Sequence, residues 1–406
     1  MNFNSLDLSP DLQKGIDACG YSAMTPIQEQ AIVPARRGRD ILAIAQTGTG
    51  KTAAFSIPIL QRLAGNAEQL KPGLPRALIL TPTRELAEQL ATTIGTYAQF
   101  MRLNIVAVYG GGKMSSQAAK LKVPVDILIA TPGRLMEHLS DNTVALSNVE
   151  YLVLDESDRM LDMGFINDVS TLMQRTNKQC QTMLFSATLS PAVNELSHKM
   201  LNNHQEIRAS KVNAAADTVE HVIYAVEESR KIDLFKDLLD QHSWYQALVF
   251  TSTKHQADKL HRALKEMKIA VDICHGDKRQ NARRRALADF KSAKTQILIA
   301  TEVAARGLDI QGLDIVVNFN LPYLAEDYVH RIGRTGRAGN SGQAISFVSR
   351  EEERSLGSIE RLIGSKVKRI HRHGFEVTDR QSLINKVRQK QSVNRKNKVS
   401  STKIDR

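Results

Sequence analysis

From about residue 40 to 200, short apolar runs alternate with longer stretches of helical periodicity. The runs at 40–44, 77–80, 104–109, 126–130, 151–154 and 182–185 predict strands. A second alternation fills 219–350, with strands expected at 221–226, 247–250, 270–273, 296–300, 315–318 and 343–346. Between these, residues 254–266 place Ala257, Leu260, Ala263 and Leu264 on one helical face. Strand alternating with helix predicts an α/β fold, a mainly parallel sheet flanked by helices, with ligands at the carboxyl ends of strands. The two halves read as low-similarity repeats of one architecture. The expected organisation is a first domain over 1–209, a polar, Ala-rich linker over 210–218, a second domain over 219–378 and a tail over 379–406.

Only the first half carries a phosphate-binding pattern. Ala45-Gln46-Thr47-Gly48-Thr49-Gly50-Lys51-Thr52 follows the strand at 40–44 and leads into a helix at Ala53-Ala54-Phe55. In that context glycines let successive N–H groups turn toward phosphate oxygens, and the helix N-terminus adds partial positive charge. Lys51 is placed to reach β- and γ-phosphates, and Thr52 to ligate Mg²⁺. Thr47, Gly48, Thr49 and Gly50 form the cradle. One departure stands out: Ala45 occupies the usual first Gly. Asp155-Glu156-Ser157-Asp158 closes the strand at 151–154. A phosphate loop needs a second Mg²⁺ anchor on a neighbouring strand, which Asp155 supplies, and Glu156 is the candidate to orient or deprotonate the attacking water. Alone, the tetrapeptide reads equally as a solvated acidic turn, and Ser186-Ala187-Thr188 after the next strand reads as a helix cap.

Length and charge change the picture only in part. The 406 residues suit two domains. The net charge of +12 points to a polyanionic partner, but residues 379–406 hold nine Lys/Arg against two Asp, leaving about +5 for the rest. That tail is polar and basic, and is expected to be disordered alone. Cys19, Cys180 and Cys274 lie far apart and match no disulfide or zinc spacing. Neither a secretory leader nor a membrane-length apolar run is evident, so a cytoplasmic protein is expected.

With these motifs in order, the chain resembles the DEAD-box family of ATP-dependent RNA helicases over residues 3–350, most closely its bacterial RhlE-type branch. Gly20-Tyr21-Ser22-Ala23-Met24-Thr25-Pro26-Ile27-Gln28 resembles the family's adenine-reading element, with Phe3 as its upstream aromatic. The resemblance implies that Gln28 reads the adenine edge and Tyr21 stacks on the base. Pro82-Thr83-Arg84, Gly110-Gly111 and Thr131-Pro132-Gly133-Arg134 match RNA-contacting elements of the first lobe. In the second lobe, Thr253, His275-Gly276, Arg283 and Thr301 follow as RNA contacts. His330-Arg331-Ile332-Gly333-Arg334-Thr335-Gly336-Arg337 comes last. By resemblance Arg334 and Arg337 are arginine fingers, Asp309 contacts the ATP ribose, and His330 links to Asp158, Ser186 and Thr188 to couple the sites.

The implied architecture is two tandem RecA-like domains plus the basic tail. The implied catalytic set is Lys51, Asp155, Glu156, Arg334 and Arg337, with ATP and Mg²⁺ as ligands, and Thr52 and Asp155 on the metal. RNA would lie across both lobes through backbone contacts, so sequence preference should be weak. Ser157 stands for the family's usual Ala, Met24 for Pro and Glu302 for Asp. Three activities compete: an RNA helicase, a DNA-dependent helicase or translocase, and a non-hydrolysing RNA clamp. Ribosome precursors and RNA-decay machinery stay open as settings, and a monomer is favoured.

Overall fold

The computed structural model describes residues 2–46, 48–64, 71–209, 219–242, 244–305, 310, 312–335 and 342–376. Within them the chain forms two seven-stranded parallel sheets flanked by helices. The first sheet contains β1 (Ile41–Ile44), β2 (Ala77–Leu80), β3 (Ile105–Val108), β4 (Ile127–Ala130), β5 (Tyr151–Leu154), β6 (Gln181–Ser186) and β7 (Gln205–Arg208). The second contains β8 (Val219–Ala225), β9 (Ala247–Thr251), β10 (Val271–Cys274), β11 (Ile297–Thr301), β12 (Ile315–Asn318), β13 (Gly342–Val348) and β14 (Lys368–Ile370). Their spatial orders are β3-β4-β2-β5-β6-β1-β7 and β10-β11-β9-β12-β13-β8-β14. Counted from its own first strand, each sheet has the same order. The repeat seen in the hydrophobic pattern is therefore a repeat of topology.

Strands β1, β2 and β4 are buried at every residue. Both faces of a parallel sheet are covered, so such strands read as unbroken apolar runs. Alternation still sorts their side chains: Ile41 and Ala43 enter one core of the first lobe, Leu42 and Ile44 the other. The helix Lys254–Glu266 has the predicted bounds and starts with a capping box between Thr253 and Gln256. Two strands were not anticipated, β7 and β14. Both are edge strands, where β7 buries only Ile207 and β14 buries none of its residues. The linker at 210–218 and the tail at 379–406 lie outside the described residues.

The lobes meet through polar groups. Arg283 Nη2 pairs with Glu85 Oε1 at 2.8 Å, and Gln280 Nε2 donates to the same oxygen at 3.2 Å. Arg159 of the first lobe pairs with Asp327 of the second, both nearly buried.

Candidate functional site

The phosphate-loop pattern joins β1 to the helix Lys51–Ala64. Gly48 and Gly50 take φ of +79° and +93°, a region that favours glycine. At Gly50 a Cβ would also lie 2.3 Å from Gln28 Nε2. Ala45 needs no such freedom. Its N–H donates to Ser186 O at 2.9 Å, extending the β1–β6 ladder, and its methyl packs in the core. Lys51 is only 7 % exposed, and its Nζ has no hydrogen-bond partner among the described residues. A buried ammonium without a partner is costly, so this group fits an incoming anion such as a phosphate. Thr47 lies outside the described residues.

Gln28 is buried and turned to the loop. Its Oε1 accepts from Thr25 N at 2.9 Å, and its Nε2 donates to Gly50 O at 3.2 Å. The residue expected to read a base edge thus also ties the adenine-reading element to the phosphate loop. Tyr21 is 43 % exposed and keeps an open face, with its hydroxyl against that of Tyr97 at 3.0 Å. Phe3 differs from expectation. It is buried in the core and stacks on Tyr21 at 5.9 Å, so it backs that ring and has no free face for a base.

Asp155 and Glu156 leave the carboxyl end of β5. The expectation that this strand neighbours β1 is corrected: β6 lies between them. Burial pushes the Asp155 carboxyl up to about 6, against the lowering field of the Lys51 ammonium. Glu156 has φ of +53° and ψ of +49°, the left-handed region, which is unusual for a non-glycine residue. Such strain persists only where the surroundings enforce it, and it tends to mark functional positions. Here the Glu156 N–H donates to Asp155 Oδ1 at 3.0 Å. Ser157 is fully buried and donates to Phe185 O at 3.2 Å, so its hydroxyl is accommodated where the family has a methyl. Asp158 Oδ2 accepts from Ala187 N, Thr188 N and Thr188 Oγ1, each at 3.1 Å, while Ser186 Oγ donates to Thr188 O at 2.7 Å. Asp158, Ser186 and Thr188 are therefore tied into one hydrogen-bonded unit.

A cavity between the lobes is lined by Glu156, Asp158 and Arg159 from the first and by Glu302, His330, Arg331 and Arg334 from the second. Arg334 is 8 % exposed there. The expected link of His330 to Asp158 takes a different form: His330 Nδ1 meets the guanidinium of Arg159, the next residue. Asp309 and Arg337 lie outside the described residues.

The candidate RNA contacts gather in a second cleft, of about 420 Å³. Pro82, Thr83, Arg84, Gly110, Gly111, Thr131 and Arg134 line it with Gly276 and Arg283 of the second lobe. Several of these side chains are already engaged. Thr83 Oγ1 caps the helix Arg84–Tyr97, Thr131 Oγ1 accepts from Gly110 N at 3.3 Å, and Arg134 Nη1 donates to Gly112 O at 3.0 Å. Three residues stand apart from that lining. Thr253 is exposed but caps its helix, Thr301 ends β11, and His275 is 2 % exposed and turned toward Asp258 at 3.4 Å.

Comparison with known proteins decides the family. Residues 25–196 match the DEAD/DEAH box helicase model, and 230–339 match the helicase conserved C-terminal domain. The chain is 38 % identical over 369 residues to the ATP-dependent RNA helicase DbpA of Bacillus subtilis, spanning 91 % of this chain and 76 % of the relative. The chain belongs to the DEAD-box family of ATP-dependent RNA helicases. It is also 39 % identical over 366 residues to RhpA of Helicobacter pylori, covering 90 % of this chain and 73 % of that one. Among solved structures, S. cerevisiae Dbp5 bound to RNA and ADP BeF3 superposes with a TM-score of 0.81 at 30 % identity, over 96 % of this chain and 99 % of that one. Mss116p bound to ssRNA and AMP-PNP also gives 0.81, at 29 % identity, over 93 % and 79 %.

Two residues of this DEAD-box chain that the motif roles leave out shape the cavity: Arg159, which joins the lobes, and Arg331, whose partners Glu302 and Asn320 lie in the second lobe. Arg159 reaches both Asp327 and His330 across the cavity. Arg331 is 2 % exposed; it pairs with Glu302 Oε2 at 2.5 Å, donates to Asn320 O at 2.7 Å and sits over the Phe250 ring. The departure Glu302 is thus a partner of the residue beside His330. For Arg331 the available signal was its position between His330 and Arg334; the Arg159–Asp327 pair has no local signal.

Proposed function

We propose that this chain couples RNA-stimulated ATP hydrolysis to local, non-processive unwinding of short RNA duplexes, or to remodelling of RNA–protein complexes. The observation that carries the reading is the cavity shared by Glu156 of one lobe and Arg334 of the other. Turnover then requires both lobes, and RNA bound across the second cleft favours their approach. Lys51 and the loop N–H groups bind the phosphates, Gln28 and Tyr21 hold the adenine, and Asp309 contacts the ribose. Thr52 and Asp155 are the residues that would hold Mg²⁺. That ion, when bound, neutralises phosphate charge. Among the described residues no cluster of three or more His, Cys, Asp or Glu is placed to hold a metal. Glu156 takes the proton of the attacking water, and Arg334 and Arg337 stabilise charge on the transferring group.

The finer assignment extends further. The motif arrangement supports the RhlE-like branch, and a monomer in a cytoplasmic setting, with ribosome precursors or RNA-decay machinery as partners, completes the proposal. No helix among the described residues is long and apolar enough to cross a membrane. Domain boundaries are placed at 1–209, 210–218, 219–378 and 379–406.

Single-stranded RNA is expected to raise ATP turnover and to tighten ATP binding by about 5- to 150-fold, the range of ordinary coupling between two binding sites. Single-stranded DNA at the same concentration is expected to give little, because RNA contacts include 2′-hydroxyls. Equal stimulation by both in a phosphate-release assay would favour the DNA-dependent alternative. Removing 380–406 is expected to weaken RNA binding and flatten its salt dependence, by up to about 0.7 in log–log slope for each Lys or Arg that meets a phosphate. Unchanged slopes in a salt titration would leave the tail without a part in RNA binding.

A further inference from the structure

Just beyond the end of β3 the chain enters Tyr109-Gly110-Gly111, and Tyr109 is gripped at three points. Gln117, 7 % exposed, uses its amide as a strand residue would: Oε1 accepts from Tyr109 N at 2.9 Å, and Nε2 donates to Tyr109 O at 3.0 Å. The two contacts fix the backbone where the sheet ladder has stopped. The fit is close, since a Cβ at Gly112 would lie 2.6 Å from Gln117 Nε2. At Gly111, with φ of +84°, a Cβ would lie 2.4 Å from Arg84 Nη1. The loop therefore has little room to shift while Gln117 and Arg84 stay in place.

The third grip crosses to the other lobe. Arg284, in the helix Gln280–Lys291, donates from Nη2 to Tyr109 Oη at 3.2 Å. Its Nε donates to Glu88 Oε2 at 3.1 Å, and its Nη2 meets the other oxygen of that carboxylate. Burial pushes the Tyr109 phenol up to about 12, assisted by its hydrogen bond to Glu88, so the hydroxyl remains a donor at any ordinary pH. Arg284 thus faces a ready-made acceptor pair, one member of which is carried by the glycine loop. None of Glu88, Tyr109, Gln117 or Arg284 belongs to the set assigned above to ATP or RNA.

We propose that Glu88, Tyr109 and Arg284 form an interlobe latch that closes over a correctly seated Gly110–Gly111 loop, and that Gln117 is the positioning residue that seats it. This rests on the reading of that loop as an RNA contact. RNA seated on the loop holds the Tyr109 hydroxyl against Arg284, and closure in turn holds the loop against RNA. Latch strength then sets how much RNA is needed for closure, and leaves the chemistry after closure largely alone.

The test is ATP turnover of the full chain against single-stranded RNA concentration, with lobe separation followed by fluorescence energy transfer. Arg284 is 52 % exposed and Glu88 26 % exposed at their side chains, so charge reversal there does not threaten folding. Glu88→Arg and Arg284→Glu are each expected to raise the RNA concentration for half-maximal turnover by about two- to fivefold, as befits a partly exposed pair. Turnover at saturating RNA should change much less. The doubly reversed chain should recover most of the loss, and Tyr109→Phe should shift half-saturation in the same direction by a smaller factor. Gln117→Leu should also raise half-saturation, with little added effect in the Arg284→Glu background. Single reversals that leave half-saturation and lobe separation unchanged, or a double reversal without recovery, overturn the latch. A parent chain that RNA does not stimulate would instead overturn the functional reading beneath it.

Discussion

Replacing Glu156 by Gln is expected to lower RNA-stimulated ATP turnover by about 10²- to 10⁴-fold, the usual contribution of a positioned general base. The substitution keeps the shape of the side chain and removes only its capacity to take a proton. Backbone strain at Glu156, with φ of +53°, is the same for either residue, so stability should change little. ATP affinity should be near that of the parent, because Lys51 and the loop glycines are untouched. If hydrolysis is what reopens the lobes, this variant should also release RNA more slowly when ATP is present. Steady-state phosphate release and a nucleotide-binding titration measure the two effects separately. Unchanged RNA-stimulated turnover would remove Glu156 from its assigned role.

Elements whose physics is local were legible in the sequence. Strand β1, the glycine loop and the helix from Lys51 follow from an apolar run, two left-handed glycines and the helical pattern after them. The helix Lys254–Glu266 is legible from its apolar face alone, and the capping box at Thr253 agrees with that start. What was missed depends on distant partners. β7 and β14 have the composition of polar edge segments, and only pairing with β1 and β8 makes them strands. Insertion of β6 between β1 and β5 is a choice of topology that no local pattern encodes. The same holds in the site. Phe3 was assigned to the base by motif position, yet burial against the core turns it into support for Tyr21. Motif position makes Thr83 and Thr253 RNA contacts, whereas their hydroxyls first satisfy helix N-termini, a task worth about 1 kcal/mol each. Any contact they make to a phosphate would come in larger part from the N–H groups they orient.

Arg334→Ala is expected to cost about 10³-fold or more in RNA-stimulated turnover, in line with loss of an arginine finger. The argument is one of placement. Arg334 lies on the second lobe, yet it lines the cavity that holds Glu156 and Asp158 of the first. On the proposed reading ATP is held chiefly by first-lobe groups, so its binding in the absence of RNA should be nearly unaffected. A guanidinium in a largely buried position presents several donors in one plane, and an ammonium cannot reproduce that geometry. Arg334→Lys should therefore restore little, although it restores the charge. The contrast with Glu156→Gln lies in what each variant can still do. With Glu156→Gln the lobes keep the cation that favours their closure around nucleotide. With Arg334→Ala that attraction is lost, so ATP should tighten RNA binding less than it does in the parent. Turnover together with RNA affinity, measured with and without a non-hydrolysable ATP analogue, separates the two. An Arg334→Ala chain that hydrolyses ATP as the parent does would mean that the second lobe does not complete the site.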